Sequence, residues 1–311
     1  NLYFFGLSLQ EAGSMKLGVN LPITDIGGDP EIIRDISQQA EELGYNHLSA
    51  ADHVLGVNAA KIPDWGNRNT SDDCFHDPFV LFGFLAACTK DIEFSTQVLV
   101  LPQRQAALVA KQAACLDILS KGRFRLGVGV GWNEAEFLAL NENFNNRGRR
   151  SVEQVELLRQ FWKQSHVTYA GEWHHVEDVG INPLPLDREI PIWFGGHQDV
   201  TLRRIAKYGN GWIMLEWPPG RPALEQFQKL YDYVQAEGRA PEEVGIEVWV
   251  SATDTPDKWR EEITFWKNAG VTHVCLNNSF SRYHHQRIPD KTVKAHVDAM
   301  VTYIGAVRDL I

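Results

Sequence analysis

The stretch Leu126–Phe137, "LGVGVGWNEAEF", sets glycine at every second position, Gly127, Gly129 and Gly131, and then opens a helical pattern. It resembles at first sight the dinucleotide fingerprint G-x-G-x-x-G, which belongs on the first strand–turn–helix unit of its domain and has glycine at the sixth place. Trp132 stands at that place here, and three apolar runs precede this one. The fingerprint is therefore disfavoured. Two readings of the glycines remain open: they clear the strand end for something flat, or they let the strand pack tightly against its neighbours.

Working outward, the same unit recurs. "DILSKG" leads into "RFRLGVGVG", "RRIAKYGNG" into "WIML", and "FWKNAG" into "VTHVCLNN". Each time a helical pattern stops at a glycine, which takes the left-handed terminal conformation at little steric cost, and an apolar strand begins. Eight such runs lie near residues 16–21, 46–51, 92–100, 124–130, 190–195, 211–215, 244–250 and 272–277. Most lack polar alternation, as parallel strands covered on both faces do. Eight strands alternating with helices predict an α/β fold, a (β/α)8 TIM barrel over residues 15–311 as one domain. A doubly wound open sheet is the alternative. Two long segments, Val54–Pro78 and Asn141–Glu189, are expected as insertions on the carboxyl-terminal face of the barrel, where lids and pocket walls sit. The opening "NLYFFGLSLQEAGSM" reads as an expression leader over residues 1–14, with a natural-looking start at Met15.

The 311 residues are 44% apolar and carry a net charge of -10, which repels phosphate backbones and anionic membranes. No nucleic acid and no membrane partner is expected. Cys74, Cys88, Cys115 and Cys275 stand far apart, so neither a zinc cluster nor a disulfide framework is indicated, and a reducing cytoplasm fits best. No metal site is expected either. The first strand, Gly18–Pro22, lacks H-x-H, and the pairs His174–His175 and His284–His285 would point to opposite sides of any strand.

Two further clusters are able to carry chemistry. In "IPIWFGGHQDVTLRRIAKYGNGW", Gly195 and Gly196 end a strand just before a helix, so backbone N–H groups, a helix N-terminus and His197 can converge on an anion. In "SAADHV", Asp52 and His53 stand at the carboxyl end of the second strand. A carboxylate beside an imidazole there can tune a proton donor or acceptor, or simply serve packing.

Taken together, "MKLGVNLP", "EELGYNHLSAADHV", "STQVLVLPQRQAALVAKQAACLDILSKGRFRLGVGVGWNEAEF" and the Ile190–Trp212 block resemble the bacterial luciferase-like monooxygenase superfamily, most closely its coenzyme F420-dependent branch. The match runs in order from Met15 to about Trp217. The resemblance implies a barrel carrying a flavin or deazaflavin ring across the carboxyl ends of the strands. Gly129, Val130 and Gly131 would let the ring and ribityl chain approach, with Asn133 near the chain; Gly195, Gly196 and His197 would hold the phosphate. A non-proline cis peptide would fall between Gln97 and Val98, behind the ring. Asp52 and His53 would stand at the ring edge as catalytic residues. Trp132 replaces an acid found in sugar-phosphate-oxidising relatives, which counts against that substrate class. With Trp65, Trp132 and Trp217 as walls, the substrate pocket is expected to suit an apolar or aromatic molecule. The implied function is F420-dependent hydride transfer with a small organic substrate. The alternatives are an FMN-dependent monooxygenase using reduced flavin and dioxygen, and a non-catalytic barrel that binds a flavin or apolar ligand. A flavin or F420 reductase and a homodimer are the expected partners.

Overall fold

All eight apolar runs form strands in the structure, a computed structural model that describes residues 15–311 apart from 67 and 188. The leader expected over residues 1–14 lies outside the described residues. In chain order the strands are β1 (Lys16–Asn20), β2 (His47–Ala50), β3 (Glu93–Thr96), β4 (Leu99–Val100), β5 (Phe124–Gly129), β6 (Val167–Ala170), β7 (His175–Val179), β8 (Ile192–Gly195), β9 (Gly211–Met214), β10 (Gly245–Val250) and β11 (His273–Leu276). The helices are α1 (Ile23–Ile26), α2 (Pro30–Leu43), α3 (Pro78–Cys88), α4 (Ala106–Ser120), α5 (Glu134–Ala139), α6 (Arg147–Lys163), α7 (Asp199–Tyr208), α8 (Arg221–Ala236), α9 (Pro256–Asn268) and α10 (Val293–Val307).

Parallel pairing runs from β3 through β2, β1, β11, β10, β9 and β8 to β5, and β3 pairs with β5 to close the ring. Closure excludes the open sheet. The third run, expected as one strand, is divided into β3 and β4 at Gln97–Val98, whose peptide bond is cis. Local chemistry sets the helix ends. Asp29 and Asp77 accept backbone N–H bonds as N-caps ahead of Pro30 and Pro78, and Gly44 ends α2 in the left-handed region. Gly209 departs from the expectation for helix-ending glycines. Its φ is -91°, and it is small because a Cβ there would lie 3.0 Å from the Ile205 backbone.

Large polar side chains fill the barrel interior. The His47 ring lies across Gly18, where a Cβ would be only 2.2 Å from it. His47 Nε2 is 2.9 Å from Glu247 Oε1, and Arg125 reaches Glu247 Oε2 at 2.6 Å. Burial alone would push the Glu247 carboxyl up; Arg125 and then His47 reverse this and hold it well below the usual carboxylate range. Cys275 completes the one trio among the described residues that brings metal-ligating atoms together. Its thiol is pushed up by burial, and the carboxylate beside it is already paired with a guanidinium. The group is an ion-pair network.

The two expected insertions fall in different places. Val54–Pro78 follows β2 and lies on the carboxyl face, as a strand-to-helix connection must. The β6–β7 hairpin instead follows α6 and lies along that helix, its turn clamped by Glu153, which accepts the N–H groups of Glu172, Trp173 and His174 and meets His174 Nδ1 at 2.7 Å. A helix-to-strand connection returns toward the amino ends of the strands, so the hairpin is no lid.

Candidate active site

The carboxyl ends of the strands meet around Val98. A Cβ on Gly129 would lie 2.4 Å from Val98 Cγ2, and one on Gly195 2.8 Å from Val98 Cγ1. The Val98 side chain therefore fills the space these glycines leave, and the tight-packing reading of the glycine run describes what the strand itself touches. The result is an apolar platform at the mouth. Gly131 and Gly196 have φ of +75° and +116°, conformations that suit glycine, and they turn the chain away from β5 and β8. Asn133 caps α5 through Ala135 N.

Asp52 and His53 leave β2 with different partners. The Asp52 carboxylate is buried and gripped by Arg104, with Nη2 to Oδ1 at 2.7 Å and Nε to Oδ2 at 3.3 Å, and it accepts Val100 N–H at 3.0 Å. Arg104 also reaches Asp77 at 2.9 Å. Asp52 thus ties the end of β2 to the end of β4. His53 Nδ1 lies 3.2 Å from Glu136 Oε1, and its ring meets Phe75 and Trp132 edge-on at 4.9 and 5.9 Å. Glu136 is buried, accepts Leu55 N–H and was missed in the sequence reading. A carboxylate only accepts, so Nδ1 carries the proton and Nε2 remains the basic atom of the ring.

Across the mouth, the rim is polar. Asn20 Oδ1, Asn277 Nδ2 and Ser279 Oγ are buried without hydrogen-bond partners among the described residues. Gln97 donates to Glu247 and accepts from Trp249 Nε1 at 2.8 Å. Trp249 and Phe280 lie with planes 16° apart, and Phe280 and Phe75 17° apart. The segment 277–292, which carries Phe280, covers this side of the mouth; in the sequence only its His284–His285 pair stood out.

On the expected phosphate side, Gly196 precedes α7, but His197 Nδ1 is engaged by Glu216 at 2.9 Å and stands near Tyr283. Asp199 in the first turn of α7 is satisfied by Arg203 and Lys229. Arg147, which donates to Gly131 O, and Arg204 on α7 have no carboxylate partner among the described residues. Burial and then Arg147 lower the Arg204 pKa from its ordinary value.

The three expected tryptophan walls do not form one wall. Trp65 and Trp132 meet at 5.7 Å beside His53, whereas Trp217 packs on Trp212 and His197 on the phosphate side. Beside His53 opens a pocket of about 160 Å³ with Asn69, Thr70, Ser71, Asp73 and Asn133 in its lining.

The model of the family described as luciferase-like monooxygenase matches residues 11–302. The chain belongs to the luciferase-like monooxygenase family. Among its relatives is an uncharacterised protein of Mycobacterium tuberculosis (strain ATCC 25618 / H37Rv), 35% identical over 185 residues, which are 57% of this chain and 63% of that protein. The matched region thus spans less than two thirds of that relative. An FMNH(2)-dependent dimethylsulfone monooxygenase of Pseudomonas putida is 27% identical over 75% of this chain and 61% of its own. A solved structure of an F420-dependent secondary alcohol dehydrogenase, in complex with an F420-acetone adduct, superposes with a TM-score of 0.75 at 20% identity, covering 96% of this chain and 100% of that one. That likeness is one of fold.

A ring of the kind used by luciferase-like oxidoreductases fits this mouth. The Val98 platform offers an apolar face, the partnerless atoms of Asn20, Asn277 and Ser279 offer hydrogen bonds to a polar edge, and Arg147 and Arg204 leave positive charge for an anion.

Proposed function

We propose that this luciferase-like protein is an oxidoreductase that uses the deazaflavin coenzyme F420 to oxidise or reduce a small organic molecule. The observation that carries the reading is His53, oriented by the buried Glu136, at the edge of the mouth. Gly129, Val130, Gly131, Asn133, Gln97 and Val98 would hold the ring and chain, and Gly195, Gly196 and His197, with Arg147 and Arg204, the phosphate. Bound there, the deazaflavin would supply two-electron hydride chemistry. The protein's share is to orient both partners and to hold or release a proton at His53 Nε2. Asp52 keeps the ends of β2 and β4 in register for that task.

The FMN alternative is supported by the FMNH(2)-dependent monooxygenase of Pseudomonas putida among the relatives. Oxygen-using chemistry needs a site that excludes water, and the polar pocket beside His53 favours the dehydrogenase reading. Supplying purified protein with oxidised F420 and a panel of small alcohols, and following loss of the oxidised cofactor's absorbance, tests the proposal. Loss with at least one alcohol supports it. Absence of loss across alcohols, with the reverse reaction also absent for ketones and nitro compounds, counts against it.

A homodimer is part of the proposal. The sequence of α3, "PFVLFGFLAAC", is apolar on all sides, yet Val80 is 70% exposed and Phe84 and, on neighbouring α4, Leu108 and Leu119 are exposed as well. A helix apolar all round is normally buried.

A further inference from the structure

The geometry points to the pocket beside His53 as a compartment for a small, neutral, multiply hydroxylated molecule. The inference rests on the proposed function for its role in catalysis, but it concerns binding alone. A cavity of roughly 150 Å³ holds one benzene, so about 160 Å³ accommodates an occupant of that order. An apolar ring is nevertheless the wrong occupant, because the lining is mainly polar. His53, Asn69, Thr70, Ser71, Asp73 and Asn133 supply hydroxyl, amide, imidazole and carboxylate groups.

The spare hydrogen-bonding capacity defines the chemistry. Asp73 Oδ2 is occupied by Thr70 N and Oγ1, while Oδ1 makes no bond among the described residues. Asn133 spends its oxygen on capping α5 and keeps its N–H groups. The Ser71 hydroxyl makes no bond among the described residues, and His53 Nε2 is left free by the bond at Nδ1. The lining therefore has two acceptors for hydroxyl protons, His53 Nε2 and Asp73 Oδ1, and a donor for oxygen at Ser71, with the Asn133 N–H groups at the border with the proposed cofactor chain. A diol satisfies both acceptors. A carboxylic acid would set its charge against Asp73 and Glu136, in a chain of net charge -10.

The loop is built to keep this shape. Gly56 lies so close to the turn at Thr70 and Ser71 that a Cβ would be 2.2 Å from Thr70 O, and Ser71 N donates to Val57 O at 2.9 Å. The insertion after β2 thus folds back on itself and presents 69–73 to His53.

Saturation-transfer NMR on the whole, cofactor-free protein tests this with 2,3-butanediol, cyclohexanol and lactate as probes. The diol is expected to bind, cyclohexanol and lactate to bind at least about tenfold more weakly, and Asp73→Asn, which keeps the bond to Thr70, to weaken the diol about tenfold. Ser71→Leu, on an exposed turn, fills the pocket and abolishes the diol signal with an unchanged melting midpoint. Cyclohexanol binding as tightly as the diol, or diol binding that both variants leave intact, overturns the inference. So does a parallel F420 titration in which the same variants weaken the cofactor equally, because the pocket would then belong to the cofactor. Diol binding without any F420 binding leaves the pocket standing and contradicts the proposed function instead.

Discussion

His53 on the segment after β2 and Glu136 on α5 are 83 residues apart in sequence, and the His53 Nδ1 to Glu136 Oε1 distance is 3.2 Å. The carboxylate fixes which ring nitrogen faces the mouth. Replacing His53 by Gln is expected to lower turnover about a hundredfold to ten-thousandfold, the usual contribution of a positioned acid or base, while cofactor affinity is retained. Glu136→Ala is expected to lower kcat about a hundredfold by releasing the imidazole, and Glu136→Gln, whose side-chain oxygen still accepts from Nδ1, to recover part of that loss. Steady-state kinetics with parallel melting curves separate this from a packing role, in which stability would fall and turnover per folded molecule would not.

The glycine platform gives a second prediction. A methyl group at Gly129 would lie 2.4 Å from Val98 Cγ2. Gly129→Ala is expected to cost about 1–3 kcal/mol of stability by overpacking, and to weaken cofactor binding by displacing Val98. Gly196→Asp combines an unfavourable backbone angle with a carboxylate aimed at an anion site, and is expected to weaken the cofactor more than it destabilises the fold. Chemical denaturation and cofactor titration of both variants check these outcomes.

Much of this was legible beforehand, and the limits have physical reasons. Strands and helices could be placed because parallel strands read as unbroken apolar runs and helix ends carry proline, aspartate and glycine. The Gln97–Val98 break followed from family resemblance, whereas the place of Asp52 and His53 at the end of the second strand was read from "SAADHV" itself. Glu136 was hidden inside the quoted "WNEAEF", because nothing local shows which acid on a short helix turns inward. The interior network did leave a signal. Glu247 in "GIEVWV" and Arg125 in "RFRLGV" are charges inside otherwise apolar runs, which a strand covered on both faces tolerates only in pairs. Three tryptophans share a residue type but not a place in the fold, which puts Trp65 and Trp132 beside His53 and Trp217 beside Trp212 and His197.

Acid should loosen the segment 277–292. His285 is buried, and burial lowers its pKa to about 4, with His284 adding to the effect and a bond to Asn277 O opposing it. In the unfolded chain a histidine titrates near 6.5. Stability from the neutral folded ring is therefore complete above about pH 6.5, and it falls as pH drops toward 4, by up to about 3 kcal/mol. Melting midpoints between pH 7.5 and 4.5 should decline less steeply in His285→Gln, which can still donate to Asn277 O. An identical slope in both proteins would remove His285 from the account.

The exposed apolar face of α3 and α4 is expected to join two copies. Val80→Asp paired with Phe84→Asp should convert a dimer to a monomer in light scattering, with a native far-ultraviolet circular dichroism spectrum. A monomer mass for the unaltered protein would remove the dimer from the proposal.

The central claim is that this luciferase-like barrel takes a deazaflavin at its mouth. Equilibrium titration of the purified protein with F420 and with FMN, each followed by fluorescence quenching under the same conditions, tests it most directly. The account predicts saturable F420 binding at least about tenfold tighter than FMN, weakened in Gly196→Asp. Tighter binding of FMN, or no binding of F420, would contradict it.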